Sequence, residues 1–192
     1  LGVIAAIRHN TFIDYFAVGF SISAQVLPNF VMAPILVLIF TLYLGWLPGG
    51  GWEGGQIQFI IMPVIALSTS YLASIARLTR SSMLEVLNSN FIRTARAKGL
   101  GERIVLIRHA LRNASLPIIT IIGLGLAGLL SGAVVTENVY AIPGLGRMAA
   151  EAISTRDYPI IQGLIILIGA AYVYVNLLID IAYAYLDPRI RY

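Results

Sequence analysis

Asn90-Phe91-Ile92-Arg93-Thr94-Ala95-Arg96-Ala97-Lys98-Gly99-Leu100 interrupts a chain that otherwise reads as membrane. The segment is short, basic and rich in helix formers, with Ala95, Arg96, Ala97 and Lys98 all ranking high in helix propensity. Asn90 is placed to cap such a helix, its side-chain oxygen meeting a free backbone N–H of the first turn. Arg96 and Lys98 fall in the last turn, where the helix dipole favours cations. Gly99 can take the left-handed conformation that ends a helix. Nine residues at ~1.5 Å each make a rod of roughly 13 Å, and a helix this short is marginal alone in water. It therefore needs packing, against the rest of its loop or against a partner.

Only 11% of the 192 residues are charged and 58% are hydrophobic; soluble domains carry about 25% charged residues. Mean hydropathy is +0.85. The absence of cysteine excludes disulfides, iron–sulfur clusters and thiolate metal sites. The net charge of +4 follows from where the basic residues sit along the chain, so it does not indicate nucleic-acid binding.

No charge occurs between Asp14 and Glu53, more than the ~20 residues that cross a hydrocarbon core. Pro28 and Pro34 fall inside this run, which predicts a tilted or kinked span over about 15–44, with an interfacial end at Trp46, Pro48 and Trp52. Further spans are predicted over about 57–76, 116–136 and 159–186, the last opened by Asp157 as N-cap two residues before Pro159. The fold class is all-α: a polytopic transmembrane helix bundle. The apolar Leu1–Ile7 stretch is too short for the core of a signal peptide and has no small-residue cleavage site after it. It reads as the tail of an earlier span, and the chain as a fragment.

The loop over 77–115 holds Arg77, Arg80, Arg93, Arg96, Lys98, Arg103, Arg108 and Arg112; with Arg8, Arg189 and Arg191 that makes eleven of the thirteen Lys and Arg residues. The opposite loops hold Arg147 and Arg156. Basic loops stay on the cytoplasmic side, so both ends of the chain and the 77–115 loop are expected there, with 137–158 extracytoplasmic. After Gly99 a second helix is expected over Glu102 to about Asn113, pointing at the third span and able to transmit movement to it. In the outer segment, Pro143-Gly144-Leu145-Gly146 predicts a turn and Arg147 to Ile153 a short helix, which could face a binding protein or cover the pore mouth.

These residues resemble a known family: the permease subunit of bacterial ABC importers of the dipeptide, oligopeptide and nickel class. The likeness covers nearly the whole chain. It is carried by Arg93-Thr94-Ala95-Arg96-Ala97-Lys98-Gly99-Leu100, then Arg108-His109-Ala110-Leu111-Arg112-Asn113-Ala114 and Leu116-Pro117. A second group is Glu137-Asn138-Val139-Tyr140, Pro143-Gly144-Leu145-Gly146-Arg147 and Arg156-Asp157-Tyr158-Pro159. The third is Asn176-Leu177-Leu178-Ile179-Asp180 and Leu186-Asp187-Pro188-Arg189-Ile190-Arg191-Tyr192. The resemblance implies the type I importer permease fold in a bacterial inner membrane. It implies as partners a second permease subunit, two cytoplasmic ATPase subunits, an extracytoplasmic substrate-binding protein and membrane lipid. The loop segment corresponds to the family's EAA motif, so Asn90 to Leu100 would form the coupling helix that docks on the ATPase. Arg93-Thr94-Ala95 stands where the broad family has Glu-Ala-Ala, a departure typical of the peptide and nickel branch. Family members have six spans, so the chain is expected to lack the first and most of the second. Peptides, nickel, glutathione and oligosaccharides travel through relatives of this kind.

Gly125, Gly128 and Gly132 line the third span, and small residues on one face let helices approach closely. They read as intramolecular packing or as a contact between permeases. Asn176 and Asp180 share one face of the last span. A carboxylate inside a bilayer costs about 2.5–3.5 kcal/mol on insertion scales, so the two read as a structural pair, with an arginine as partner, or as pathway residues. An ion-coupled secondary transporter using Asp180 is the alternative function. Tyr183, Tyr185 and Tyr192 read as an interfacial belt. No phosphate-binding Gly-rich loop and no nucleophile–base pair occurs, so no catalytic residue and no cofactor are expected. His9 and His109, far apart in sequence, are not expected to bind metal.

Overall fold

The computed structural model describes residues 1–130 and 133–186, and every regular element among them is helical. In chain order these are α1 (Gly2–Ile7), α2 (Phe12–Val26), α3 (Asn29–Leu36), α4 (Ile57–Leu87), α5 (Asn90–Ala97), α6 (Glu102–Ile104), α7 (Arg112–Leu130), α8 (Val134–Val139), α9 (Leu145–Thr155) and α10 (Tyr158–Leu186). A π-helical segment, Val37–Tyr43, continues α3, and another, Val105–Leu111, joins α6 to α7.

Ile57–Leu87, Glu102–Leu129 and Tyr158–Tyr185 are each long and apolar enough to cross a membrane, and α2 with Asn29–Tyr43 makes a fourth candidate if that bent pair is one span. Within the most apolar window of α10 only 11% of residues are buried by the chain itself. Its exposed Ile165, Ile166, Val173 and Leu177 require an apolar environment from outside.

The helices differ in extent from the predicted spans in two places and bend sharply in a third. The run over 15–44, expected to be tilted or kinked, is sharply bent: α2 and Asn29–Tyr43 meet at 94°. Pro28 forces the residue before it away from helical geometry and lies extended itself, at ψ 148°. The span predicted over 57–76 continues to Leu87. Arg77 and Arg80 end the apolar run but not the helix, because Met83, Leu84, Val86 and Leu87 still have a core to pack against. The span predicted over 116–136 begins earlier and ends earlier. Helix runs unbroken from Glu102 to Leu130, with Pro117 inside it costing one N–H donor, and Thr136 belongs to α8. The last span matches closely: α10 begins at Tyr158, and the Asp157 carboxylate accepts the Ile160 N–H at 3.3 Å.

The chain divides into two compact units. One comprises Leu1–Ser23, Leu72–Leu124 and Asn176–Tyr192. Its core gathers Ala6, Met83, Ile92, Ala95, Val105, Ala110 and Ala114. In the same unit α7 and α10 touch closely, since a Cβ at Gly123 would overlap the Ile179 side chain. The hydroxyls of Thr120 and Tyr183 are hydrogen-bonded across this contact, so Tyr183 joins two helices in addition to any interfacial role.

The other unit comprises Ala24–Tyr71 and Gly125–Val175. Its core holds Ala33, Leu36, Met62, Ala66 and Tyr140. Tyr140 is 1% exposed; its hydroxyl donates to the Ala33 carbonyl at 3.1 Å, and its own carbonyl accepts the Gly51 N–H at 2.8 Å. Burial pushes its phenol pKa up to about 12. In the segment over 137–158 Glu137 accepts the Arg147 N–H at 2.6 Å, so its carboxylate caps the first turn of α9. A Cβ at Gly144 would overlap that carboxylate, so a larger residue there would displace the Glu137 side chain from its cap. The helix predicted from Arg147 to Ile153 is α9, two residues longer at each end.

Tyr140 ties α3 and the Gly-rich 45–55 loop to α8. Tyr140→Phe removes only the hydroxyl bond and should cost about 1 kcal/mol, while Tyr140→Ala should cost about 3–5 kcal/mol. Thermal unfolding of the detergent-solubilised protein would rank the two; equal midpoints would deny Tyr140 this bridging role.

Candidate functional site

Helix α4 passes into α5 through only Asn88 and Ser89. The Asn88 side chain donates to the Leu84 carbonyl at 2.9 Å, and the Ser89 hydroxyl donates to Val86 at 2.5 Å. The capping residue is Ser89, not Asn90 as the sequence predicts. Ser89 has the extended geometry (φ −72°, ψ 153°) of a residue outside the helix, and its side chain makes no capping bond because the hydroxyl is turned back to α4. Asn90 is the first helical residue, and its carbonyl accepts the Thr94 hydroxyl at 3.0 Å.

The C-terminal end follows the glycine. Gly99 has φ +77°, the Gly99 N–H reaches the Arg96 carbonyl at 2.9 Å, and the Leu100 N–H reaches Ala95 at 3.4 Å. This pair of reversed bonds is the Schellman arrangement, which uses carbonyls the helix would otherwise leave open.

The helix has a clear inside and outside. Ile92 is 0% and Ala95 7% exposed, both within the core of Met83, Val105, Ala110, Ala114 and Ala6. Burying an isoleucine is worth about 1.5–3 kcal/mol, which is what an eight-residue helix lacks by itself. Phe91, Arg93, Thr94, Arg96, Ala97, Lys98 and Leu100 form the exposed side, with Phe91 45% and Leu100 38% exposed. The free face thus carries two large apolar side chains, Phe91 and Leu100, among three cations.

One of these cations is engaged within the chain. Arg96 holds Glu102 by two hydrogen bonds, Nε to Oε2 at 3.1 Å and Nη2 to Oε1 at 2.6 Å. The pair straddles the Gly99–Gly101 turn and staples α5 to the start of α6; the Glu102 carboxylate pushes the Arg96 pKa above its usual value. Arg93 and Lys98 make no ion pair among the described residues.

The other predicted positions lie elsewhere. Gly125 and Gly128 face Tyr71: a Cβ on Gly125 would come within 3.1 Å of the ring, and one on Gly128 within 3.1 Å of the hydroxyl. Gly132 lies outside the described residues, as does Tyr192. Asn176 is half-buried on α10 and Asp180 exposed, and Asp180 makes no ion pair among the described residues. No group of three potential metal ligands exists among the described residues. Sequence reading missed Gly123, whose contact with Ile179 is closer than those of the singled-out glycines, and the pairing of Asp14 with Arg80 across 66 positions.

A family model described as binding-protein-dependent transport system inner membrane component matches residues 1–192. The chain is 50% identical over 191 residues to the oligopeptide transport system permease proteins OppB of Salmonella typhimurium strain LT2 and of Escherichia coli strain K12, covering 100% of this chain and 62% of each relative. It is 43% identical to the dipeptide transport system permease protein DppB of Bacillus subtilis strain 168, again over 100% of this chain and 61% of the relative. The chain thus spans about three-fifths of the length of these relatives. The chain belongs to the family of binding-protein-dependent transport system inner membrane components and is a membrane protein. This membership lends no support to the ion-coupled alternative built on Asp180.

The geometry at Gly99 separates two substitutions. A Cβ there meets no atom within 4 Å, so Gly99→Ala should cost only the left-handed backbone strain, about 1–2 kcal/mol. Gly99→Pro loses the N–H donor and cannot reach φ +77°, and should unravel the end of α5. Hydrogen exchange of the 92–98 amides would show modest loss of protection in the first and near-complete loss in the second; equal protection in both would sink the assignment.

Proposed function

We propose that the chain is the membrane-spanning permease subunit of an ATP-driven importer and forms, with a second permease, the pathway for peptides across a bacterial inner membrane. ATP is hydrolysed in two separate cytoplasmic ATPase subunits, and an extracytoplasmic binding protein delivers the substrate. Both ends of the chain and the 77–115 loop face the cytoplasm, and 137–158 faces outward. This orientation is supported by the concentration of Lys and Arg in the loop and at the ends. The peptide class is supported by the relatives, which are named as oligopeptide and dipeptide transport permeases.

The observation that carries the coupling role is the two-sided character of α5. Ile92 and Ala95 fix it to its own subunit, and Phe91 and Leu100 are left outward beside Arg93 and Lys98. Such a face fits an apolar groove with acidic side chains at its rim. Force applied to α5 reaches two long helices directly, because α4 ends at Leu87 and the helix from Glu102 to Leu130 starts just beyond Gly99.

Phe91→Asp and Leu100→Asp leave the core untouched and should lower ATP-dependent peptide uptake by the reconstituted importer by roughly 30-fold each, the scale of a contact hot spot. Amounts of the permease in the membrane should stay unchanged. Uptake at the wild-type rate in both variants would remove α5 from the coupling path.

A further inference from the structure

Outside α5 the same unit holds a buried ionic node. Asp14, in the first turn of α2, is 1% exposed. Its carboxylate accepts Arg80 Nε at 2.5 Å, Arg80 Nη2 at 2.7 Å and the Asn10 N–H at 3.0 Å. His9 Nδ1 lies 3.0 Å from the carboxylate and 3.2 Å from Arg80 Nη2. An ionised carboxylate withdrawn from water is retained only where it is paired and hydrogen-bonded, and here the bonds to this α2 carboxylate come from α4 and from the turn between α1 and α2. Asn10 takes a left-handed conformation, φ +59°, to aim its N–H at Asp14.

The node adjoins the core that holds α5. Arg80 is three residues before Met83, and His9 three residues after Ala6; Met83 and Ala6 both pack in the core around Ile92 and Ala95. On α4 three residues are just under one turn, about 4.5 Å along the helix. Apolar side chains permit small slides, whereas a bidentate guanidinium–carboxylate pair admits one register. A buried ion pair is seldom needed for stability, because well-packed apolar residues often serve as well; fixing register is its best-attested use.

We infer that Asp14 and Arg80 are positioning residues that lock α2 in register on α4 beside α5. A displacement of α5 then moves α2 together with α4 instead of being absorbed between them. The inference rests on the reading of α5 as the ATPase-docking helix.

The test uses the whole importer in proteoliposomes, with Asp14→Asn, Arg80→Lys and the apolar pair Asp14→Leu with Arg80→Met, and Phe91→Asp alongside. Assembled complex, ATP hydrolysis and peptide imported per ATP are measured. The expected result is normal assembly and retained hydrolysis, with peptide imported per ATP falling about tenfold, within the range by which residues away from the ligand change coupling. Unchanged transport per ATP in the assembled variants overturns the inference. So does a loss of transport in proportion to lost assembly in all three, which makes the node purely structural. If Phe91→Asp uncouples and the node variants do not, the inference fails and the docking reading stands. If Phe91→Asp leaves transport per ATP unchanged, the docking reading fails and takes the inference with it.

Discussion

An isolated eight-residue helix does not persist in water, and the arrangement around α5 answers that constraint. Helix α5 spends its two inward positions, Ile92 and Ala95, on a core shared with α1, α4 and the helical run after Glu102. That leaves a narrow outer face for contact with anything else. It also makes α5 a rigid extension of its neighbours. The short Asn88–Ser89 link on one side and the Schellman turn with the Arg96–Glu102 pair on the other leave little backbone freedom between them. In the docking role proposed for α5, flexible linkers would dissipate an applied displacement.

Much of this was legible in the sequence, and the reasons differ residue by residue. Gly99 could be read because few residues but glycine adopt φ +77° readily at a helix end. Asp157 could be read because N-capping is local. The choice between Ser89 and Asn90 could not, since both are good capping residues, and the Ser89 hydroxyl turns back to the Val86 carbonyl at the end of α4 while Ser89 itself stays outside α5. Helix ends differ from the ends of the apolar runs wherever hydropathy and helicity part company. Charge at Arg77 and Arg80 stops an apolar run, yet the peptide ladder continues to Leu87 because packing persists.

Contacts between distant segments were not legible at all. Asp14 read as the last charge before an apolar run, and Arg80 as one more cation in a basic loop. Nothing local joins positions 66 apart, and the pairing exists only once α2 and α4 are packed. Gly123 was overlooked for a similar reason. Gly125 and Gly128 stand out as members of a small-residue pattern, but what decides closeness is the side chain opposite, and that is Ile179 for Gly123 and Tyr71 for the others.

The helix from Glu102 to Leu130 shows how such a molecule can be stiff in one direction and yielding in another. Its first turns hold α5 through Val105 and Ala110, and its later part packs against α10 at Gly123. The π segment Val105–Leu111, which carries Val105 and Ala110, and Pro117 beyond it are two places where the regular ladder of hydrogen bonds is altered. A continuous helix carries axial load along its peptide ladder, and a π segment or proline lowers resistance mainly to bending. A push delivered near Val105 would therefore pass along the axis with little loss. A sideways force would be taken up as a change of angle between residues 105 and 117. An element of this kind turns displacement at one end into tilt at the other.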